Sequence, residues 1–394
     1  MKNFKKSGLL ATVLALSMLI AGCGGDSGEK AAPKAAAADE IKIGLSGELT
    51  GNSANFGIST LNGAKLAVKQ INEAGGVLGK KINLIAGDNK SEPSEAANVM
   101  TKLVTQDKVI AVVGNFTSSC AISASNVAEA SKVPFVSNGA TNPRLTVDNG
   151  KTKKYIFRAC FIDPFQGTVG ANFVMNTLKL KKGVVLIDNS SDYAKGLAEF
   201  FKAAFTKGGG EILAEEGYLQ KDQDFKTILT KVKALNPEFI YIPGYYEEVG
   251  KIVKQARELG MNMPMVGGDG WDSSKLAEIA GGAALNNTYF TNHYSPEDSS
   301  PESKAYVAAY QKEYNVLPDG QSVLGYDALM LVVDAIKRSN STDPEKIREA
   351  IENTKDFPGA SGTLTINSTH DATKSAVIIE MKDGKQVYKE TIKP

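Results

Sequence analysis

The chain of 394 residues has little of what metal sites and covalent catalysis use: three cysteines, two histidines and one tryptophan. With only His293 and His370, and with no cysteines paired at metal-ligand spacing, neither a zinc site nor a cysteine–histidine nucleophile has support. No metal, cofactor or catalytic residue is therefore expected. Charge of one sign is also lacking. Lys+Arg 45 against Asp+Glu 44 leaves a formal net charge of +1, so there is no field to hold nucleic acid or an anionic surface. Phosphate-binding loops are absent as well. "GLSGELTG" after the first β run has the wrong spacing for a dinucleotide fingerprint, and "GGVLGKK" follows a helical stretch and ends in lysine where a P-loop needs Ser or Thr.

The one long apolar run lies at the N-terminus. Lys2, Lys5 and Lys6 precede "GLLATVLALSMLIAG", which is too short and wrongly flanked for a permanent span and reads as a secretory signal over residues 1–22. The stretch Leu19-Ile20-Ala21-Gly22-Cys23 resembles a bacterial lipobox, which implies lipidation of Cys23 and, with two or three acyl chains, a stable membrane anchor. The alternative is an ordinary signal with an incidental cysteine. Residues 23–40 are small, polar and interrupted by proline, the composition of a flexible tether; their "GDSG" precedes any fold that could hold a histidine.

From Ile41 short β runs alternate with amphipathic helical stretches, the pattern of a parallel sheet covered by helices. In "IKIGLS" Ile41, Ile43 and Leu45 share a side. Leu61, Ala64, Val68 and Ile71 then recur at helical spacing until Gly75-Gly76. Further strands are expected at 82–88, 109–114 and 133–137, with helices near 93–106 and 119–131. A second series has strands at 183–188, 211–218, 238–244 and 263–268, with helices near 166–180, 194–207, 224–235 and 247–259. Two such series imply two lobes. A long apolar helix at 322–339 and two late strands, "GTLTIN" and "AVIIEM", suggest that the chain crosses between lobes more than once, as suits a hinge.

This arrangement, with "GELTGNSANFG" (47–57), "NEAGGVLGKKINL" (72–84), "GNFTSSCA" (114–121), "SNGATNPRLT" (137–146), "FRACFIDPFQG" (157–167) and "PGYYEEVGKI" (243–252), resembles the bacterial leucine/isoleucine/valine-binding proteins, type I solute-binding components of ABC importers. The resemblance implies an α/β fold of two Rossmann-like lobes joined by a three-crossover hinge. The lobes would be 41–162 plus 291–355 and 163–290 plus 356–394. It also implies a monomer in the bacterial cell envelope, outside the cytoplasm, that passes an amino acid to an ABC permease. The usual disulfide of the family has no counterpart, since the matching positions are Asp88 or a neighbour and Thr117. Outside the cytoplasm Cys120 and Cys160 could pair with each other; with no family counterpart for such a bond, the expectation is that they are free packing groups.

A free amino acid needs donors for its carboxylate, an acceptor for its ammonium and a wall for its side chain. "TSSCA" follows a strand and opens a helix, so Ser118 and nearby N–H groups would face an anion at that helix N-terminus. In "NGAT", Gly139 lets backbone approach, Ala140 lies between, and Thr141 adds a hydroxyl. The resemblance places carboxylate and ammonium contacts at Ser118, Gly139 and Thr141; the plainer reading is that such residues only cap helices. In "GGDGWDSS" Asp269 matches the acidic position that takes the ammonium, whereas Asp272-Ser273-Ser274 reads as a helix N-cap. Trp271 would wall the pocket or simply pack. Phe56, Tyr193 and Tyr245 are carried over as aromatic walls, which favour apolar side chains. Asp163 would contact the ammonium or fix the hinge. Besides transport, two functions stay open: a ligand-sensing receptor of the same fold, for an amide or aromatic acid, and an extracytoplasmic enzyme, for which no acid/base pair stands out.

Overall fold

Residues 40–297 and 300–394 are described by the structure, a computed structural model. The expected signal segment, the lipidated Cys23 and the tether lie outside the described residues. Two large sheets organise the rest. The first has five parallel strands in the order Ile82–Asp88, Ile41–Gly47, Ala111–Gly114, Phe135–Ser137 and Ile156–Arg158. The second has seven, in the order Lys385–Ile392, Ala376–Lys382, Thr288–Asn292, Met265–Gly267, Phe239–Ile242, Lys182–Asp188 and Glu211–Tyr218. Its first two strands run antiparallel to their neighbours and the remainder are parallel.

Central strands such as Ala111–Gly114 and Phe239–Ile242 are buried at every position. That is why they read as unbroken apolar runs instead of alternating ones, since helices cover both faces of a parallel sheet. The helix Ala54–Glu73 buries Phe56, Ala64, Ala67 and Ile71 on one side. The long helix Gly320–Ser339 starts on Asp319, whose side chain accepts the Ser322 N–H at 2.8 Å, and ends on left-handed Asn340, a usual helix terminator. Its Ala328, Leu329, Val332 and Ile336 belong to the core of the first sheet.

Three connections join the halves. Residues 159–162 lead from the strand Ile156–Arg158 into the helix Asp163–Asn172, which packs in the second half. The chain leaves the second sheet after Asn292. It enters it again only at Ala376, because Phe357, Leu364, Ile366 and Ala372 pack in the core of the first sheet. The strand Gly362–Ile366 thus sits with the first half, beyond the expected boundary at 355/356, held there by its apolar side chains. Several strand ends and helix N-termini of the two sheets meet where the halves face each other, the place where ligands bind in open α/β sheets.

Candidate functional site

On the first half the helix Ser118–Ser131 begins immediately beyond the strand Ala111–Gly114. Glu48, buried, holds that turn: its carboxylate accepts the Phe116 and Thr117 N–H groups at 3.2 Å each and the Thr117 hydroxyl at 2.8 Å. Burial raises the Glu48 pKa while these three bonds pull it back. Ser118 is buried as the first helical residue, and its Oγ accepts the Asn142 N–H at 3.3 Å. Thr117 occupies the capping position but makes no side-chain cap bond.

The neighbouring loop carries Gly139, Ala140 and Thr141, all buried. A Cβ at Gly139 would stand 2.1 Å from the Phe116 ring, so only glycine permits that packing. Arg158 fixes the loop from behind. Its Nη1 donates to the Ala140 carbonyl at 2.6 Å, its Nη2 to the Asn142 carbonyl at 2.9 Å, and its Nε pairs with Asp371 at 2.7 Å. Thr141 Oγ1 has no hydrogen-bond partner of good geometry among the described residues.

Asp163 opens its helix and donates its own N–H to the Thr141 carbonyl at 3.0 Å. The side chain is fully buried, and neither oxygen has a hydrogen bond of good geometry among the described residues, the Thr141 hydroxyl being its polar neighbour. Burial, with the nearby Asp269 charge, pushes its pKa up to about 8, against the opposing pull of the Thr141 hydroxyl and the Arg158 charge. Asp269 is equally buried but engaged: Gln166 Nε2 donates to Oδ1 at 2.7 Å, and His293 Nε2 lies 3.1 Å from Oδ2. Burial lowers the His293 pKa, while the Asp269 carboxylate opposes that shift. His293 Nδ1 is unpartnered, as is Gln166 Oε1.

Aromatic side chains from both halves meet beside these acids. Phe56 lies 4.4 Å from Phe116 and edge-on to Tyr245 at 5.7 Å and Tyr246 at 4.9 Å, centroid to centroid. Tyr245 stacks on Tyr193 at 5.1 Å, and Tyr193 Oη accepts the Gly270 N–H at 3.2 Å. A cleft of about 330 Å³ reaches Thr117, Ser119 and Tyr245 from outside, with Glu92 and Lys221 in its lining. Trp271 stands behind this group. Its indole covers Gly267 and donates to the Ile242 carbonyl at 2.9 Å, inside the second core.

The helix cap expected around Asp272 is placed differently. Ser273 is the cap of the helix Ser274–Ala280, its Oγ accepting the Lys275 N–H at 3.1 Å. Asp272 is instead a buried junction that accepts from Gly320 N–H at 2.7 Å, Asn292 Nδ2 at 2.8 Å and Gln386 Nε2 at 2.6 Å. Three distant segments had donors to satisfy there, so the acid turned inward. Cys120 and Cys160 are separate buried thiols. Burial drives both pKa values upward, that of Cys160 to about 12, which leaves no thiolate for nucleophilic attack near neutral pH.

Sequence reasoning passed over Glu48, Arg158, Gln166 and His293 as parts of this site. His293 follows the strand Thr288–Asn292, which no periodicity marked. Gln166 lies one helical turn beyond Asp163, the only hint of its position.

Residues 40–386 match the family model described as periplasmic binding protein. The chain belongs to the periplasmic binding protein family. An amino acid binding protein of Pseudomonas aeruginosa is 34% identical over 310 residues, covering 79% of this chain and 82% of that one. A Leu/Ile/Val-binding protein of Rhizobium johnstonii is 34% identical over 353 residues, covering 89% and 94%. Among solved structures, the branched-chain amino acid transporter substrate-binding protein LivJ of Streptococcus pneumoniae, in complex with isoleucine, superposes with a TM-score of 0.85 at 40% identity. It covers 90% of this chain and 100% of that chain. The leucine-binding protein LivK of Thermotoga maritima gives the same TM-score at 38% identity, covering 90% and 99%. The two halves are the two lobes of the type I periplasmic binding protein fold.

Proposed function

We propose that this periplasmic binding protein captures a branched-chain or other apolar amino acid between its lobes, outside the cytoplasm, and presents the closed form to an ABC importer permease. The first lobe would be 41–162 with 293 to about 373, and the second 163–292 with 376–394. One observation carries the reading: buried polar atoms without partners, Thr141 Oγ1, both Asp163 oxygens and Gln166 Oε1, accompany an aromatic group to which both lobes contribute. Native proteins seldom leave such groups unpaired unless water, an ion or a ligand completes them, and here they gather between the two lobes.

In this reading the ligand carboxylate lies on Ser118 and the helix N-terminus behind it, with Gly139, Ala140 and Thr141 alongside. Its ammonium takes the open acceptors of Asp163, and its charge favours the ionised form of that group, while Asp269, already held by Gln166 and His293, stands beside it as a second acceptor. Phe56, Tyr193 and Tyr245 enclose the side chain, with Trp271 supporting them from behind. Closure follows from binding both lobes at once, since a ligand shifts the equilibrium by its differential affinity for the closed state. No bond is made or broken. Lipidation at Cys23 would tether the monomer to the membrane.

The two acids also argue against an aromatic acid without an ammonium group, which would bring no cation to the acceptors of Asp163 and Asp269. A thermal-shift screen of the amino acids, with benzoate included, tests this. A ligand at 100 times its Kd stabilises by about 2.7 kcal/mol. Leucine, isoleucine or valine should raise the melting temperature and benzoate should not; stabilisation by benzoate alone would overturn the reading.

A further inference from the structure

Three residues of the candidate site have a sequence neighbour that ties the lobes together, and all three ties converge on one place. Ser119 follows Ser118, Asn142 follows Thr141, and Asp192 precedes Tyr193. Ser119 Oγ donates to Asp192 Oδ2 at 3.0 Å and accepts the Asp192 N–H at 3.1 Å. Asn142 Nδ2 donates to the Asp192 carbonyl at 2.8 Å, and Arg144 Nη1 reaches Asp192 Oδ1 at 3.2 Å. Asp192 itself is fixed on the second lobe, in the first turn of the helix Asp192–Lys207, where Ser191 Oγ caps the Ala194 N–H at 3.2 Å.

Gly196, one turn along, supplies an independent sign that the two surfaces are shaped for each other. A Cβ there would stand 2.7 Å from Asn142 Nδ2 and 3.4 Å from Asp163 Oδ2. The helix can approach the ligand loop this closely only because position 196 has no side chain.

We propose that Asp192 is a positioning residue that clasps the lobes through Ser119, Asn142 and Arg144 and so sets how long a captured ligand stays. The clasp makes no contact with ligand in this account; the statement about residence time rests on the capture reading above. Contacts formed only in the closed state oppose reopening, and so act on koff more than on kon. The Arg144 pair is largely exposed, with side-chain accessibilities of 67% and 27%, and contributes little; the Ser119 and Asn142 bonds carry most of the effect. Other ties remain when the clasp is cut. Asn52 Nδ2 donates to Glu248 at 2.9 Å, and Ser273 Oγ to Asn55 at 2.6 Å, so release is expected to quicken without capture being lost.

The test uses the full chain with leucine, isoleucine and valine as probes. Asp192→Ala cuts the charge-assisted bond from Ser119 Oγ and the Arg144 pair, and Gly196→Ala displaces Asn142; each should raise koff about tenfold, equivalent to about 1.4 kcal/mol, with kon within about threefold. Both Asp192 variants keep the backbone bonds to Ser119 and Asn142; Asp192→Asn also keeps an acceptor for the Ser119 hydroxyl, and should fall between wild type and Asp192→Ala. Ser119→Ala should matter less in the Asp192→Ala background than alone, a coupling that mere loss of stability would not produce. Where a probe binds, unchanged koff in both Asp192→Ala and Gly196→Ala overturns the clasp. Should Asp192→Ala fail to fold, Asp192→Asn and Gly196→Ala decide. If no probe binds the wild type, the amino-acid reading has failed, and small-angle scattering of the ligand-free proteins decides the clasp separately. A larger radius of gyration in Gly196→Ala than in wild type supports it, and equal radii overturn it.

Discussion

Asp163→Asn should make the ligand-free protein more stable and a poorer receptor at the same time. The carboxylate is fully buried without a hydrogen bond of good geometry among the described residues, and burial pushes its pKa from 3.8 up to about 8. For a carboxyl group whose pKa is raised on folding, the native state is favoured at low pH and loses stability as pH rises from the unfolded value through the folded one. Between 3.8 and pH 7 lie about three units at about 1.4 kcal/mol each, so the group costs the wild type up to about 4 kcal/mol at neutral pH. Asparagine keeps the shape and never ionises. Urea denaturation should therefore show the variant about 2–4 kcal/mol more stable at pH 7, with the gap closing towards pH 4. Titration with leucine should show the reverse. Losing a buried partner of the ammonium costs about 2–5 kcal/mol, roughly 30-fold to several thousandfold in affinity. A variant that is less stable than wild type, and binds leucine within about threefold of it, would refute the reasoning.

Two substitutions probe the framework around the site. Asp272→Ala strands the Gly320, Asn292 and Gln386 donors, and should lower stability by about 2–4 kcal/mol in chemical denaturation; a loss below about 0.5 kcal/mol would mean that water replaces the acid easily. Gly139→Ala drives a methyl into the Phe116 ring, and should cost about 1–3 kcal/mol of stability and weaken leucine binding in calorimetry. Unchanged binding would show that the ring moves freely.

Most strands of both sheets were legible because buried parallel strands are short apolar runs bounded by turn residues. Ile41–Gly47 and Phe239–Ile242 show this plainly. Ile156–Arg158 and Thr288–Asn292 were not, since the first is three residues long and the second, "TYFTN", has no apolar run. The late strand Gly362–Ile366 was visible as a strand, but its membership of the first half depends on Leu364 and Ile366 meeting a core assembled from residues far away in sequence. At the site, loop residues that follow strands stood out by position. Their supports did not: Glu48, Arg158 and Gln166 act through bonds to distant backbone or side chains, which local spacing cannot express. Asp272 and Ser273 show the same limit from the other side. Two capping residues stood in a row, and only the inward donors decided which of them caps.

A crystal structure of the full chain grown with leucine bears most directly on the central claim. Leucine is expected between the lobes, its ammonium about 3 Å from an Asp163 oxygen and its carboxylate on Ser118 and Thr141. Leucine bound elsewhere, or lying between the lobes with its carboxylate turned towards Asp163, would contradict it.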